Sequence, residues 1–371
     1  MGAAAPNETR AMSKTFRHLY PQICDLAALI AAYRRARRGK RGRVDVASFE
    51  LRFEDHLLDL RDALTDGSYR PGAYRSFTIT ESGKRRIISA APFRDRIVHH
   101  ALCAVLEPIW EPRFIHDSYA CRQGKGTHAA IDRAQHFARG HRYVLQMDVQ
   151  QFFPSIDHAI LRAQLARYVA DAPTLTLIDH VLAGGAATLR DSYQMMYFSG
   201  DDLFAVERPR GLPIGNQTSQ FWANVYLDPL DHFIQRELGC RAYVRYCDDL
   251  LLFGDDRAAL HRWRAAIIAY AAGLRLTMHE RRAQVAPVHT GISFLGWRIF
   301  PYLRRLKRRN ILAFARRFRT LQRRYAVGAI GLADIHAAVK GWRGHARHGQ
   351  TAALTRSLIH RRPLVRLRGT P

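Results

Sequence analysis

Three aspartates stand where carboxylates could act together on a phosphate. Asp148 closes an apolar run that begins at Tyr143, and about a hundred residues later Asp248 and Asp249 lie between the apolar runs Ala242 to Tyr246 and Leu250 to Phe253. Joining a hydroxyl to an α-phosphate requires charge stabilisation at the attacking and leaving oxygens, which two divalent ions about 4 Å apart can supply. Such ions are hard and favour carboxylate oxygens. An Asp-Asp pair alone is a weak signal, because Gly200-Asp201-Asp202 and Gly254-Asp255-Asp256 occur in the same chain and read as turn or cap residues.

The elements around these acids follow from periodicity. Tyr143 to Val149 reads as a buried strand ending in an acid, and the two later runs as a hairpin joined through Cys247-Asp248-Asp249. Phe77 to Thr80 and Arg86 to Ser89 form another hairpin around Glu81-Ser82-Gly83, whose glycine suits a tight turn. Helical spacing covers Ile23 to Arg38, Phe49 to Thr65 and Pro92 to Trp110, with a cationic connector from Arg34 to Arg43. Asn216 is placed to cap a helix running toward Glu237, and Asp255 or Asp256 to cap one ending near Gly273. Residues 1 to 15 read as a tail.

Composition narrows the partner. The 371 residues carry 58 Lys and Arg against 32 acids, a formal net charge of +26 that calls for a polyanion, with nucleic acid the first candidate. The C-terminal 71 residues hold 18 of the cations and one acid, Asp334, as suits a helical lobe gripping a duplex backbone. No apolar run approaches a bilayer span and no signal-peptide core opens the chain, so no membrane is expected and the cytoplasm is the default. Five scattered cysteines without metal-ligand spacing imply thiols and no structural zinc.

The text around the acids supplies the specificity. Tyr246-Cys247-Asp248-Asp249 resembles the YxDD box of reverse transcriptases, and Asp148 through Phe153 to Asp157 resembles that family's other aspartate motif. Gly211-Leu-Pro-Ile-Gly-Asn-Gln-Thr-Ser-Gln220 is similar to the nucleotide-facing segment between them, and Phe294-Leu-Gly-Trp297 to the primer grip. Arg86 to Arg96 and Tyr119 to Thr127 match two fingers blocks. Six motifs in family order span roughly residues 70 to 300.

The resemblance implies an α+β right-hand polymerase fold: N-terminal helices and fingers over 16–140, palm with the YxDD hairpin and primer grip over 141–300, part of the fingers interleaved, and a basic helical thumb over 301–371. It implies Asp148, Asp248 and the Val149 carbonyl as ligands of two Mg²⁺ (Mn²⁺ as the substitute), with Asp249 the more peripheral catalytic acid. Phe153 falls at the steric-gate position that excludes a ribose 2′-hydroxyl. Arg86 and Lys84 would hold the deoxynucleoside triphosphate, with Ile214, Gly215 and Gln220 beside it. Arg122, Lys125, Leu295, Gly296, Trp342 and Arg343 would contact the template RNA and the RNA/cDNA duplex.

Gly124-Lys125-Gly126-Thr127 lacks the leading glycine of a phosphate loop, and no strand directly precedes it, so template contact is expected there rather than ATP. Where relatives often carry a lysine that protonates pyrophosphate, this chain has Glu280-Arg281-Arg282. Ile214-Gly-Asn-Gln in the central motif and Gly341-Trp342-Arg343 in the thumb are most similar to reverse transcriptases of diversity-generating retroelements. That likeness implies a bacterial or phage-encoded, adenine-mutagenic enzyme aided by a basic helical-bundle accessory protein. The alternatives are another bacterial reverse transcriptase, of phage-defence, retron-like or group II intron type, and a non-catalytic RNA-binding module. Tyr193 to Arg210 reads as an insertion between the aspartate and central motifs.

Overall fold

The computed structural model describes residues 14–81, 84–186, 188–189, 193–360 and 364–366, apart from the side chains of 80, 81, 84–86 and 360. The tail expected at 1–15 therefore lies mostly outside the described residues. So do Ser82 and Gly83 of the first hairpin turn.

Mixed α and β elements fold into two compact units, each assembled from segments distant in sequence. The first comprises Met1–His116, Asp148–Leu238 and Ala265–His279. It opens with four helices, α1 (Tyr20–Cys24), α2 (Leu26–Ala36), α3 (Val44–Glu50) and α4 (Phe53–Thr65). The single helix expected over Ile23 to Arg38 is broken because Asp25 leaves helical geometry and its carboxylate accepts from Ala28 N at 2.9 Å, capping α2. Two extended strands follow, β1 (Arg75–Glu81) and β2 (Lys84–Ala90), paired antiparallel with Ser76 opposite Ser89. Next comes α5 (Phe93–Trp110), with Pro92 at its N-cap as its missing N–H allows.

The second unit comprises Asp117–Met147, Gly239–Arg264 and Glu280–Pro371. It contains α6 (Thr127–Gly140) and β3 (Tyr143–Asp148), whose last residue begins the return to the first unit. The first unit resumes with α7 (Phe152–Ser155), α8 (His158–Ala166), α9 (Ala172–Ala186) and α10 (Gln217–His232).

The chain returns through β4 (Tyr243–Tyr246), β5 (Asp249–Gly254) and α11 (Arg257–Gly273), then runs through β6 (Gln284–Pro287), β7 (Ile292–Phe294), β8 (Trp297–Ile299) and β9 (Arg304–Leu306). Strands β4-β5-β3-β6 make one sheet in that order and β7-β8-β9 another. Three helices close the unit, α12 (Arg308–Ala326), α13 (Leu332–Ala346) and α14 (Ala352–His360). Its core joins Val244, Leu251 and Phe253 of the first sheet to Trp297, Phe314, Phe318 and Trp342.

Asp256 caps α11 through Ala258 N at 2.8 Å, as expected. Asn216 holds the N-cap position of α10 without capping it. Its carboxamide oxygen instead accepts from Ala91 N, and its nitrogen donates to the Pro213 carbonyl, both at 3.4 Å.

Candidate active site

In the first unit the main chain around Asp148 is clamped by the segment after α11. His279 N donates to the Asp148 carbonyl at 2.8 Å, Gln150 N donates to the Thr277 carbonyl at 2.7 Å, and Val149 bridges Met278 antiparallel. Gln151 then turns left-handed at φ 47°, sending the chain into α7. There Phe152 is buried and Phe153 half-buried, their ring centres 5.4 Å apart.

The Phe153 carbonyl accepts from Leu212 N at 2.9 Å, tying the aspartate segment to Gly211–Gly215. The Ile214 carbonyl accepts from Ser89 N on β2 at 3.3 Å. Gly215 is needed there: its φ is 118°, and a Cβ would stand 3.2 Å from Ile88 Cγ2. Separate main-chain bonds thus fix Asp148, Phe153 and Ile214, Val149 lies in the bridge to Met278, and Gly215 follows Ile214 in the chain. Gln220 is exposed on α10. Lys84 and Arg86 lie in β2, but their side chains are outside the described residues.

In the second unit, Tyr246 pairs with Asp249, so the hairpin turn is Cys247-Asp248. Asp249 belongs to β5 rather than to the turn, a correction to the three-residue connection expected from sequence. Cys247 is left-handed at φ 57°, and holding a non-glycine there costs on the order of 1 kcal/mol, offset by the surrounding bonds. Arg245, fully buried in β4, donates from Nη1 to the Cys247 carbonyl at 3.2 Å. The segment from Asp117 to Tyr119 runs beside it: Arg245 N donates to the Asp117 carbonyl and Tyr119 N to the Arg245 carbonyl, each at 2.9 Å. Sequence reasoning missed Arg245, although a cation between Val244 and Tyr246 in an apolar run was the available signal.

The same unit carries the Tyr119 to Thr127 segment, where template contact is expected from sequence. Gly126, at φ 111°, precedes α6, and its N–H donates to the Tyr119 carbonyl at 3.0 Å. Thr127 Oγ1 lies 3.1 Å from the Tyr246 hydroxyl, and the Lys125 ammonium stands 5.1 Å from the Tyr119 ring centre. Arg122 Nη1 donates to the Ser118 carbonyl at 3.0 Å.

Leu295 and Gly296 make the two-residue turn between β7 and β8 with φ of 44° and 86°, as a type I′ hairpin demands. The Gly296 carbonyl accepts from Lys307 N at 3.0 Å and Asn310 Nδ2 at 3.2 Å. Burial lowers the Lys307 pKa, as does Arg309, against the pull of Asp249. Trp342, expected against nucleic acid, stacks on Phe314 at 4.1 Å between centres and is buried, so its ring face is used for packing; Arg343 beside it is exposed.

The donors suit a hard cation. Asp148 and the Val149 carbonyl in the first unit, and Asp248 and Asp249 in the second, each offer oxygen only, while burial and the Asp248 carboxylate push the Cys247 thiol well up, away from the thiolate a soft metal would take. Among the described residues no three His, Cys, Asp or Glu side chains form a cage. A Mg²⁺ that keeps waters and takes substrate phosphates needs only one or two protein carboxylates.

Comparison with known proteins gives the chain's family. Residues 76–299 match the family model described as reverse transcriptase (RNA-dependent DNA polymerase), and the chain belongs to that family. The family's chemistry is nucleotidyl transfer with divalent metal ions. The chain is 26% identical to Protein YkfC of Escherichia coli K12, covering 69% of this chain and 74% of that protein. It is 27% identical to the group II intron-encoded protein LtrA of Lactococcus lactis over 49% of this chain and 28% of LtrA. A 28% identity to nuclear intron maturase 2 of Arabidopsis thaliana covers 36% of this chain and 20% of that protein. The chain thus spans about a quarter of the length of LtrA and of the maturase. No helix among the described residues is long and apolar enough to cross a membrane.

Proposed function

We propose that this chain copies an RNA template into DNA by two-metal nucleotidyl transfer. The observation that carries the reading is the β4–β5 hairpin: its two-residue turn presents Asp248, Asp249 heads β5, and β5 is the sheet neighbour of β3, the strand that ends at Asp148. Two Mg²⁺, held by Asp148, Asp248 and the Val149 carbonyl with Asp249 more peripheral, supply charge stabilisation at the attacking and leaving oxygens. Phe153 excludes the ribose 2′-hydroxyl, and Arg86 and Lys84 bind the triphosphate together with Ile214, Gly215 and Gln220. Residues 16–140, 141–300 and 301–371 act as fingers, palm and thumb. Arg122, Lys125, Leu295, Gly296 and Arg343 face template and duplex.

Within the family, the names of the relatives support a group II intron type of enzyme better than the diversity-generating type suggested by Ile214. Template-directed synthesis is tested by giving the purified protein a primed RNA, Mg²⁺ and deoxynucleotides, and sequencing the product. Full-length cDNA supports the proposal. Errors spread evenly over the four template bases support the intron type, whereas errors concentrated at adenine, and lowered by Ile214→Gln, restore the diversification reading.

A further inference from the structure

The segment from Tyr193 to Arg210 has an exposed surface to which the proposed function assigns no role. Met196, Tyr197, Leu203, Phe204 and Val206 are exposed by 37%, 56%, 82%, 77% and 48%, an apolar cluster within eleven residues. Leu203–Glu207 is a 3₁₀ turn in which Ala205, 4% exposed, is the inward anchor. Residues at i and i+3 eclipse in such a turn, so Leu203 and Val206 form one outward stripe with Phe204 beside it.

The stripe is held rigid. Arg275 pairs with Asp201 through both terminal nitrogens, and Asp201 accepts from Phe198 N at 2.9 Å. Arg210 Nη2 donates to the Ala205 and Val206 carbonyls at 3.1 and 2.6 Å, and its guanidinium lies 4.7 Å from the Tyr193 ring centre. A surface ordered in advance loses little entropy on docking. Next to it is a cavity of about 310 Å³, lined by the apolar Met195, Val206 and Pro209 together with Glu207, Arg208 and Arg210, and roomy enough for a phenyl ring.

Charge identifies the occupant. Residues 193–210 contain Asp201, Asp202 and Glu207 against Arg208 and Arg210, a slightly acidic stretch in a chain of net charge +26. Such a stretch offers nucleic acid phosphates no excess of cations, and two copies of so basic a chain can approach with least repulsion where acids and arginines balance. We propose that this segment is a self-association surface, in which Leu203 and Phe204 of one copy enter the cavity beside the same segment of a second copy. A two-fold axis makes the contact reciprocal, knob to cavity and cavity to knob. Asp202 of each copy then faces the partly exposed Arg208 of the other. A patch of this size gives a weak dimer, with Kd on the order of 10 μM.

Sedimentation velocity of the full chain across about 1 to 100 μM tests the proposal. The wild type should rise toward twice the 42.4 kDa of one chain, Phe204→Trp should do the same, and Leu203→Ser/Phe204→Ser should remain monomeric with an unchanged thermal midpoint. A monomeric wild type over the whole range overturns it. So does a serine variant that dimerises as readily, or one that loses affinity for RNA while the wild type is monomeric.

Discussion

The guanidinium of Arg245, wholly buried in β4, donates to the main-chain carbonyl of Cys247 at 3.2 Å, two residues along the same chain. A charge inside the sheet thereby fixes the left-handed turn that presents Asp248. Removing the donor to a buried carbonyl leaves that carbonyl unsatisfied and costs about 1–3 kcal/mol. Arg245→Met should lower unfolding stability on that scale and cut primer extension at least tenfold under conditions where it remains folded. Arg245→Lys keeps the charge without the planar fork and should fall between wild type and Arg245→Met. Denaturant titration alongside extension assays checks both values, and full activity in folded Arg245→Met would separate the turn from its support.

Phe152 and Phe153 are neighbours with different environments, the first buried and the second half-buried with its carbonyl bonded to Leu212 N. Phe153→Ala should raise incorporation of ribonucleotides relative to deoxynucleotides by tenfold or more while keeping extension. Phe152→Ala should instead cost about 3–5 kcal/mol of stability. Single-nucleotide incorporation with each nucleotide type decides between a gate and a packing role. An unchanged ratio in Phe153→Ala makes the ring structural.

His99 of α5 is buried, with neither ring nitrogen hydrogen-bonded, and burial, His100 and Arg96 lower its pKa to about 3. The unfolded chain takes up this proton near pH 6.5, well before the folded one does. Stability contributed by the neutral ring is complete above about pH 6.5 and is lost as pH falls toward 3, at up to about 1.4 kcal/mol per pH unit. His99→Leu should flatten the decline of unfolding free energy between about pH 6 and 4. A slope identical to wild type would show that other groups set the acid sensitivity.

The parts of the fold legible in the sequence are those fixed by local pattern. Alternating and apolar runs mark β3, β4 and β5, and the helix cap at Asp256 follows from residue type and position. What escapes is decided by partners far along the chain. Asn216 has the right type for a cap, yet Ala91 N competes for its oxygen across 125 positions. Asp201 suits a turn and does accept from Phe198 N, but its pairing with Arg275 ties the segment from Tyr193 to Arg210 to the chain after α11. Trp342 reads as a binding aromatic because it sits among cations. Helical periodicity turns it instead onto Phe314, while Arg343, one position on, is exposed. Arg245 is marked locally as a lone cation inside an apolar run, but that its guanidinium serves the Cys247 carbonyl is decided only by the fold.

Asp148 and Asp248, as the proposed ligands of the metal ions in a nucleotidyl-transfer site, carry the central claim. Asp148→Asn and Asp248→Asn each replace an anionic oxygen by a carboxamide, removing a hard-metal ligand while leaving nearly all of the +26 chain that attracts RNA. The decisive measurement is primer extension on a defined RNA template with Mg²⁺, paired with the affinity of each variant for that same template. Metal ligation at both positions predicts cDNA yield reduced at least a thousandfold in both variants, with RNA affinity within about twofold of wild type. Wild-type cDNA yield from either purified variant would contradict it.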